Sequence, residues 1–315
     1  MGIFRPIAIS SFVLTILYIN CTPAERRGVA LEPPSLSQWI LSPKQSVELA
    51  HRGGIVIDAR HYAFYLASHY EGATSMNWKG YAREGNARGL LQDCGSVRSR
   101  IEQSIFPVKG SIFLVYGDAA DGWGEEGRIV WMLRQCHYPA YMVDGGYRAL
   151  MEAYGVADES DPAASKSKPK TAMDTANLPS NDAIEFTNTE ISLNQLQQWK
   201  DRSDVSILDV RESREFNGQT PYGESRGGHI PGAISLYYKE LLNNEGFVRS
   251  AEEIRALLKS RGVNGDKPIV AYCTGGIRSS MATVILRHYG YEAYNFAGSM
   301  WLWSAQNSER YPLVH

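Results

Sequence analysis

Residues 267 to 280 read Lys-Pro-Ile-Val-Ala-Tyr-Cys-Thr-Gly-Gly-Ile-Arg-Ser-Ser, a buried-strand pattern running into a glycine-rich turn that opens with Cys273. Met281, Val284, Ile285 and His288 follow at helical spacing, which places the thiol between a strand end and a helix start. There the backbone N–H groups of Thr274, Gly275, Gly276, Ile277, Arg278 and Ser279 and the positive end of the helix surround the sulfur. Both lower a thiol pKa and stabilise an anion attached to it, so the pattern predicts a cysteine that carries a charged sulfur species. Gly275 and Gly276 are expected at positive φ, so that several donors converge. Arg278, five positions after the cysteine, puts a fixed positive charge on the far side of the turn, available to an anionic group; the alternative is an arginine that caps the turn. A structural cysteine at a strand end would be inert, and this turn argues against that reading.

The elements that must position this turn occur twice. Ile55-Val56-Ile57-Asp58-Ala59-Arg60 corresponds to Ser206-Ile207-Leu208-Asp209-Val210-Arg211, each a buried strand ending in Asp-x-Arg. His69-Tyr70-Glu71-Gly72-Ala73 corresponds to His229-Ile230-Pro231-Gly232-Ala233, and Phe113 to Tyr116 corresponds to Ile269 to Tyr272. Leu133-Arg134 matches Leu286-Arg287, and Ala140, Tyr141 and Gly145 match Ala293, Tyr294 and Gly298. Short apolar strands alternate with amphipathic helices, the pattern of an α/β domain duplicated over about 125 residues. Active sites of such sheets lie at the carboxyl ends of strands, where Cys273 stands. The first copy has Gly117 at that position, followed by an acidic loop, Asp118 to Glu126, about three residues longer and repulsive to an anion. Trp123 in this loop is expected at the boundary between the halves.

The boundaries that follow are residues 1–20 as an export signal, 21–34 as a linker, 35–157 as the first copy, 158–185 as a linker rich in Ser, Pro, Ala, Lys and Asp, and 186–312 as the second copy. Arg5 precedes an apolar stretch too short to span a bilayer comfortably, and Leu17-Tyr18-Ile19-Asn20-Cys21 resembles a relaxed lipobox. Cys21 is then the residue acylated, and the folded part is periplasmic or at the cell surface, anchored to a membrane by lipid. A plain secretory signal or an uncleaved anchor is the alternative. The net charge of −2 gives no basic footprint for nucleic acid. Four cysteines are too few and too scattered for a disulfide scaffold, and none forms a CxxC pair, so neither a metal nor another cofactor is implied. Cys136 reads as a core residue, and Cys94 as packing in preference to a resolving thiol.

The repeat, the Asp-Val-Arg strand, the segment Arg226-Gly-Gly-His-Ile-Pro-Gly-Ala233 and the CTGGIRS turn together resemble tandem-domain rhodaneses, the thiosulfate and 3-mercaptopyruvate sulfurtransferases. The resemblance spans nearly all of residues 36–305. It implies two tandem rhodanese-like domains, each a mainly parallel sheet flanked by helices, with an inert first copy and a catalytic second one. The implied chemistry is attack of a Cys273 thiolate on the outer sulfur of a small anionic donor, storage of that sulfur as a persulfide, and transfer to a thiol or to cyanide. Arg278 would meet the sulfonate or leaving sulfite, which tilts the donor towards thiosulfate, and Arg226 resembles an arginine that tandem members aim at the substrate's anionic end. Asp209 and Arg211 are expected to form a supporting ion pair under the loop, and His229 to be structural, since the first copy keeps His69 without the nucleophile.

Phosphatases and arsenate reductases of this fold resemble Cys-x5-Arg, a wider cradle, whereas only four residues separate Cys273 from Arg278. A second alternative is an exported binding module that kept the shape without turnover. CTGGIR also occurs in rhodanese-type tRNA uridine hydroxylases, against which the export signal and the lack of a basic face argue.

Overall fold

Each half is built on a sheet whose strands bury both faces. A computed structural model describes residues 34–108, 110–160 (side chains to 155) and 188–315. The expected export signal, Cys21 and most of both expected linkers lie outside the described residues. The first half runs β1 (Ile40–Leu41), α1 (Pro43–His51), β2 (Ile55–Asp58), α2 (Tyr62–Ala67), β3 (Thr74–Ser75), α3 (Cys94–Ile105), β4 (Phe113–Tyr116), α4 (Glu125–Gln135), β5 (Ala140–Val143) and α5 (Gly146–Ser160). The second runs α6 (Leu193–Trp199), β6 (Ser206–Asp209), α7 (Ser213–Phe216), β7 (Ile234–Ser235), α8 (Ala251–Ser260), β8 (Ile269–Tyr272), α9 (Ile277–His288), β9 (Ala293–Asn295) and α10 (Ser299–Trp303). α5 thus continues into the first residues expected to be linker.

The sheet orders are β1-β5-β4-β2-β3 and β7-β6-β8-β9, with every pair parallel. Alternation decides which face each side chain takes. Ile269 and Ala271 of β8 point into one apolar cluster and Val270 and Tyr272 into another; Phe113 and Val115 of β4 divide from Leu114 and Tyr116 in the same way. The first of these clusters runs through both halves, from Phe113 and Trp131 to Met281 and Ile285, because α4 packs along α9. Gly124 and Gly127 allow this approach: a Cβ at either would press on Met281.

The repetition extends to polar detail. Arg60 forks onto Asp58 as Arg211 forks onto Asp209, and the Tyr116 and Tyr272 hydroxyls each donate to the aspartate of their own half, at 2.8 and 2.7 Å. Each tyrosine oxygen in turn accepts a backbone N–H, from Tyr70 or Ile230. Arg134 and Arg287 each tie a helix end to the next strand through the carbonyls of Ala140 and Ala293. Ser42 with Gln45, Ser192 with Gln195 and Ser250 with Glu253 start helices as reciprocal capping boxes.

Cys136 is a core residue as expected, but the reading of Cys94 and Cys136 as unlinked packing residues is corrected. Cys94, at the start of α3, and Cys136, at the end of α4, form a disulfide with Cα atoms 5.1 Å apart. Their separation of 42 residues hid the pairing, because the contact exists only once both helices lie on the same face of the sheet. Cys273 is the free cysteine among the described residues.

Candidate active site

β8 delivers Cys273 to the carboxyl edge of the second sheet, and Gly276, at φ 86°, turns the chain into α9. The cysteine is 1% exposed, at the base of a cleft of about 360 Å³. Its Sγ accepts the Gly276 N–H at 3.1 Å. The Ser279 hydroxyl lies 3.5 Å from Sγ and 2.7 Å from Asn295 Oδ1, so its single proton can serve either. Burial pushes the thiol up, but the charge of Arg278, the Ser279 hydroxyl and the amides of Ser279 and Gly275 outweigh it and leave Cys273 below the ordinary thiol value. The turn therefore favours thiolate, and the same donors suit a persulfide anion.

The two glycines serve different needs. Gly276 has the positive φ, whereas Gly275 does not; a Cβ on Gly275 would instead overlap the Trp301 ring. Ser299 is a feature that sequence reasoning missed. Its Oγ accepts the Cys273 N–H at 3.0 Å and donates to the Phe296 carbonyl at 2.7 Å, and its φ of 48° is unusual for a non-glycine residue. This side chain fixes the backbone of the nucleophile from the start of α10.

Arg278 lies at the cleft but is committed. Its guanidinium grips Glu215 at 2.6 and 2.9 Å and donates to Thr274 Oγ1 at 2.8 Å, and Glu215 is fully buried. Thr274 Oγ1 lies 2.6 Å from Glu215 and 3.2 Å from Glu224, so the turn is bolted to α7 and the segment after it. Burial pushes the Glu215 carboxyl up, and the hydrogen bonds and charge of Arg278 more than reverse this. Arg278 is thus the turn-capping arginine, with its charge offset, and not a free anion receptor.

Arg226 is corrected more fully. Its guanidinium lies within hydrogen-bond distance of the carbonyls of Trp303, Ser304, Gln306 and Tyr311, so it clamps the C-terminal segment and does not line the cleft. Asp209 and Arg211 form the buried pair expected under the loop, and Arg211 also holds the Gly228 carbonyl at 2.8 Å. His229 stacks on Phe216, with Nδ1 3.1 Å from that residue's carbonyl, in a structural setting.

The cleft walls come from both halves. Trp78, Lys79, Trp123 and Glu125 of the first face Tyr222, Ile277 and Trp301 of the second. Trp123 meets Tyr222 edge to face at 4.8 Å, and Arg88 stacks on Trp301 at 3.7 Å. Lys79 is the one lysine of the lining.

At the equivalent place in the first half, a side chain on Gly117 would overlap the Glu126 carboxylate. Glu126 is the second residue of α4, as Arg278 is of α9, so a carboxyl stands where the second copy has a guanidinium. The loop between strand and helix is four residues longer here and α4 is one residue shorter than α9, which gives the net three of the sequence comparison. Glu126 Oε2 has no hydrogen-bond partner, and burial, with Glu125 and Asp118 adding like charge, pushes the carboxyl up to about 8. The folded protein then keeps a proton that the unfolded chain releases near pH 4.5, so stability falls by about 1.4 kcal/mol per unit as pH rises from there towards 8. Thermal melts of Glu126→Gln are expected to lose this decline, and wild-type and variant curves parallel from pH 5 to 8 would contradict the assignment.

The architecture, two parallel sheets flanked by helices, is that of rhodanese-like domains. Residues 192–306 match the Rhodanese-like domain family. The chain is 26% identical to a thiosulfate sulfurtransferase of Azotobacter vinelandii over 286 residues, covering 87% of this chain and 93% of that one. It is 31% identical to the 3-mercaptopyruvate sulfurtransferase of Mus musculus over 168 residues, 52% of each chain. Among solved structures, the 3-mercaptopyruvate sulfurtransferase from Leishmania major superposes with a TM-score of 0.62 at 21% identity, over 86% of this chain and 75% of that one. The matches to three relatives at 31% to 39% identity span only 37% to 52% of those proteins' lengths.

Proposed function

We propose that the protein is a sulfurtransferase that works through a persulfide on Cys273. One observation carries this reading: a buried thiol held below its ordinary pKa, with the Gly276 N–H at 3.1 Å, at the base of a cleft open to small molecules. The Cys273 thiolate attacks the outer sulfur of thiosulfate, the sulfur–sulfur bond breaks, and its electron pair leaves on sulfite. An acceptor thiolate or cyanide then takes the outer sulfur and returns the thiolate. The relationship to named thiosulfate and 3-mercaptopyruvate sulfurtransferases supports both donors. The preference for thiosulfate no longer rests on Arg278, which Glu215 offsets; Lys79 on the cleft wall is the remaining cation to meet the donor's charge. The short spacing from Cys273 to Arg278 supports sulfur over phosphate or arsenate chemistry.

Purified, reduced protein incubated with thiosulfate or with 3-mercaptopyruvate is expected to gain one sulfur atom by intact mass. No gain with either donor would overturn the reading, and a gain with one alone names the donor.

We also propose export with lipid attachment at Cys21. The Cys94–Cys136 disulfide supports an oxidising compartment. Palmitate labelling that persists in Cys21→Ser would rule the lipid site out.

A further inference from the structure

Arg128, four residues after the glycine that starts α4, belongs to the inert half and is 2% exposed. It reaches across the contact between α4 and α9. Nη1 donates to the Gly276 carbonyl at 3.4 Å and Nη2 to the Gly89 carbonyl at 2.7 Å, while the guanidinium lies 4.8 Å from the Trp131 ring centre. A Cβ on Gly276 would sit 2.9 Å from Nη1, so the cation packs against the very residue whose N–H holds Sγ.

The two arginines near Cys273 therefore differ in kind. Arg278 is held bidentate by Glu215, and the pair's net charge is close to zero. Arg128 bonds only to carbonyls and forms no ion pair with a described residue. Burial pulls it down to about 10, against the opposing charges of Glu190 and of the Cys273 thiolate, so it remains a cation at neutral pH. Glu190 is half-buried and desolvation pushes it above the ordinary carboxylate value, which weakens it as a counter-charge. A buried charge is costly unless an opposite one shares its surroundings, and a thiolate or persulfide at Cys273 adds such an anion beside Glu190.

We propose that Arg128 is a positioning residue through which the first half serves the reaction: it anchors Gly276 by its carbonyl and adds a buried positive charge, beside that of Arg278, that favours the ionised Cys273. The proposal rests on Cys273 being the nucleophile and explains why a copy without a thiol stays packed on the active one. Other charged groups near the turn include Arg278 with Glu215 and Glu224 behind it, Glu125 and Lys79 on the cleft wall, Arg88 stacked on Trp301, and Glu190 on the Arg128 side. None of these is both cationic and in contact with the turn without a carboxylate partner.

The test is the pH dependence of iodoacetamide alkylation at Cys273, followed by peptide mass so that Cys21 is counted separately, in the full chain with its disulfide intact. Arg128→Gln is expected to raise the midpoint by about one pH unit, a tenfold loss of thiolate below it, with a matching fall in sulfur loading rate. Arg128→Lys, which keeps the charge, is expected to restore most of the shift. Should the glutamine variant fail to fold by circular dichroism, Arg128→Met, uncharged and of similar length, takes its place. A wild-type midpoint in the uncharged variant, or an equal displacement in the lysine variant, overturns the proposal. Alkylation needs no sulfur donor, so a shifted midpoint without sulfur loading would sink the sulfurtransferase reading and leave the role of Arg128 standing.

Discussion

Cys273→Ser is expected to abolish sulfur loading and to lower turnover by on the order of 10³-fold or more, while leaving the fold intact. Serine is nearly isosteric with cysteine and can accept the same Gly276 N–H. Its hydroxyl, however, does not ionise near neutral pH and cannot hold a transferable sulfur. Intact mass with thiosulfate, beside a turnover assay with cyanide as acceptor, reads both effects. Sulfur still gained by the serine variant would move the nucleophile elsewhere, and full biological function retained without loading would favour a binding module.

Glu215→Gln should have the largest effect on stability. The carboxylate is fully buried, bound twice by Arg278, and close to Thr274. Removing its charge strands a buried guanidinium, a loss of about 3–5 kcal/mol by comparison with other broken buried pairs. Because the folded carboxyl is held below its ordinary value, its contribution is present above the unfolded carboxylate pKa and is lost as pH falls through the lowered one. Urea titrations should therefore show the wild type losing stability on this acid limb and the variant lacking it. The Cys273 midpoint should also fall in Glu215→Gln, since Arg278 is then no longer offset. A variant as stable as wild type, with an unmoved thiol, would show that the pair does not hold the turn.

Much of the site was legible because its logic is local. Strand, cysteine, glycines and helix are consecutive, so the cradle could be read from residues 267–288, and the duplication set Gly117 against Cys273. What escaped depends on contacts between distant segments. Glu215 lies 63 positions from Arg278 and cancels the charge that the sequence offered to substrate. Arg226 had the right residue type beside the right motif, yet the chain end folds back to occupy it. Ser299, Trp301 and Arg128 carry no motif, since each is defined by what α10 or α4 brings against the turn. Gly275 was read for backbone freedom when the constraint is the ring above it.

In the proposed cycle, the disulfide between Cys94 and Cys136 bears on how long a Cys273 persulfide lasts. With both sulfurs tied to each other, the described residues offer Cys273 no neighbouring thiol to attack its stored sulfur and discharge it as an internal disulfide. The loaded form then waits for a molecule to enter past Trp78, Trp123 and Trp301, and how long it waits is governed by the supply of that molecule. Among the described residues an oxidised Cys273 likewise has no thiol partner for repair, so in the proposed cycle reductants from solution set how long activity lasts as well as how fast it runs.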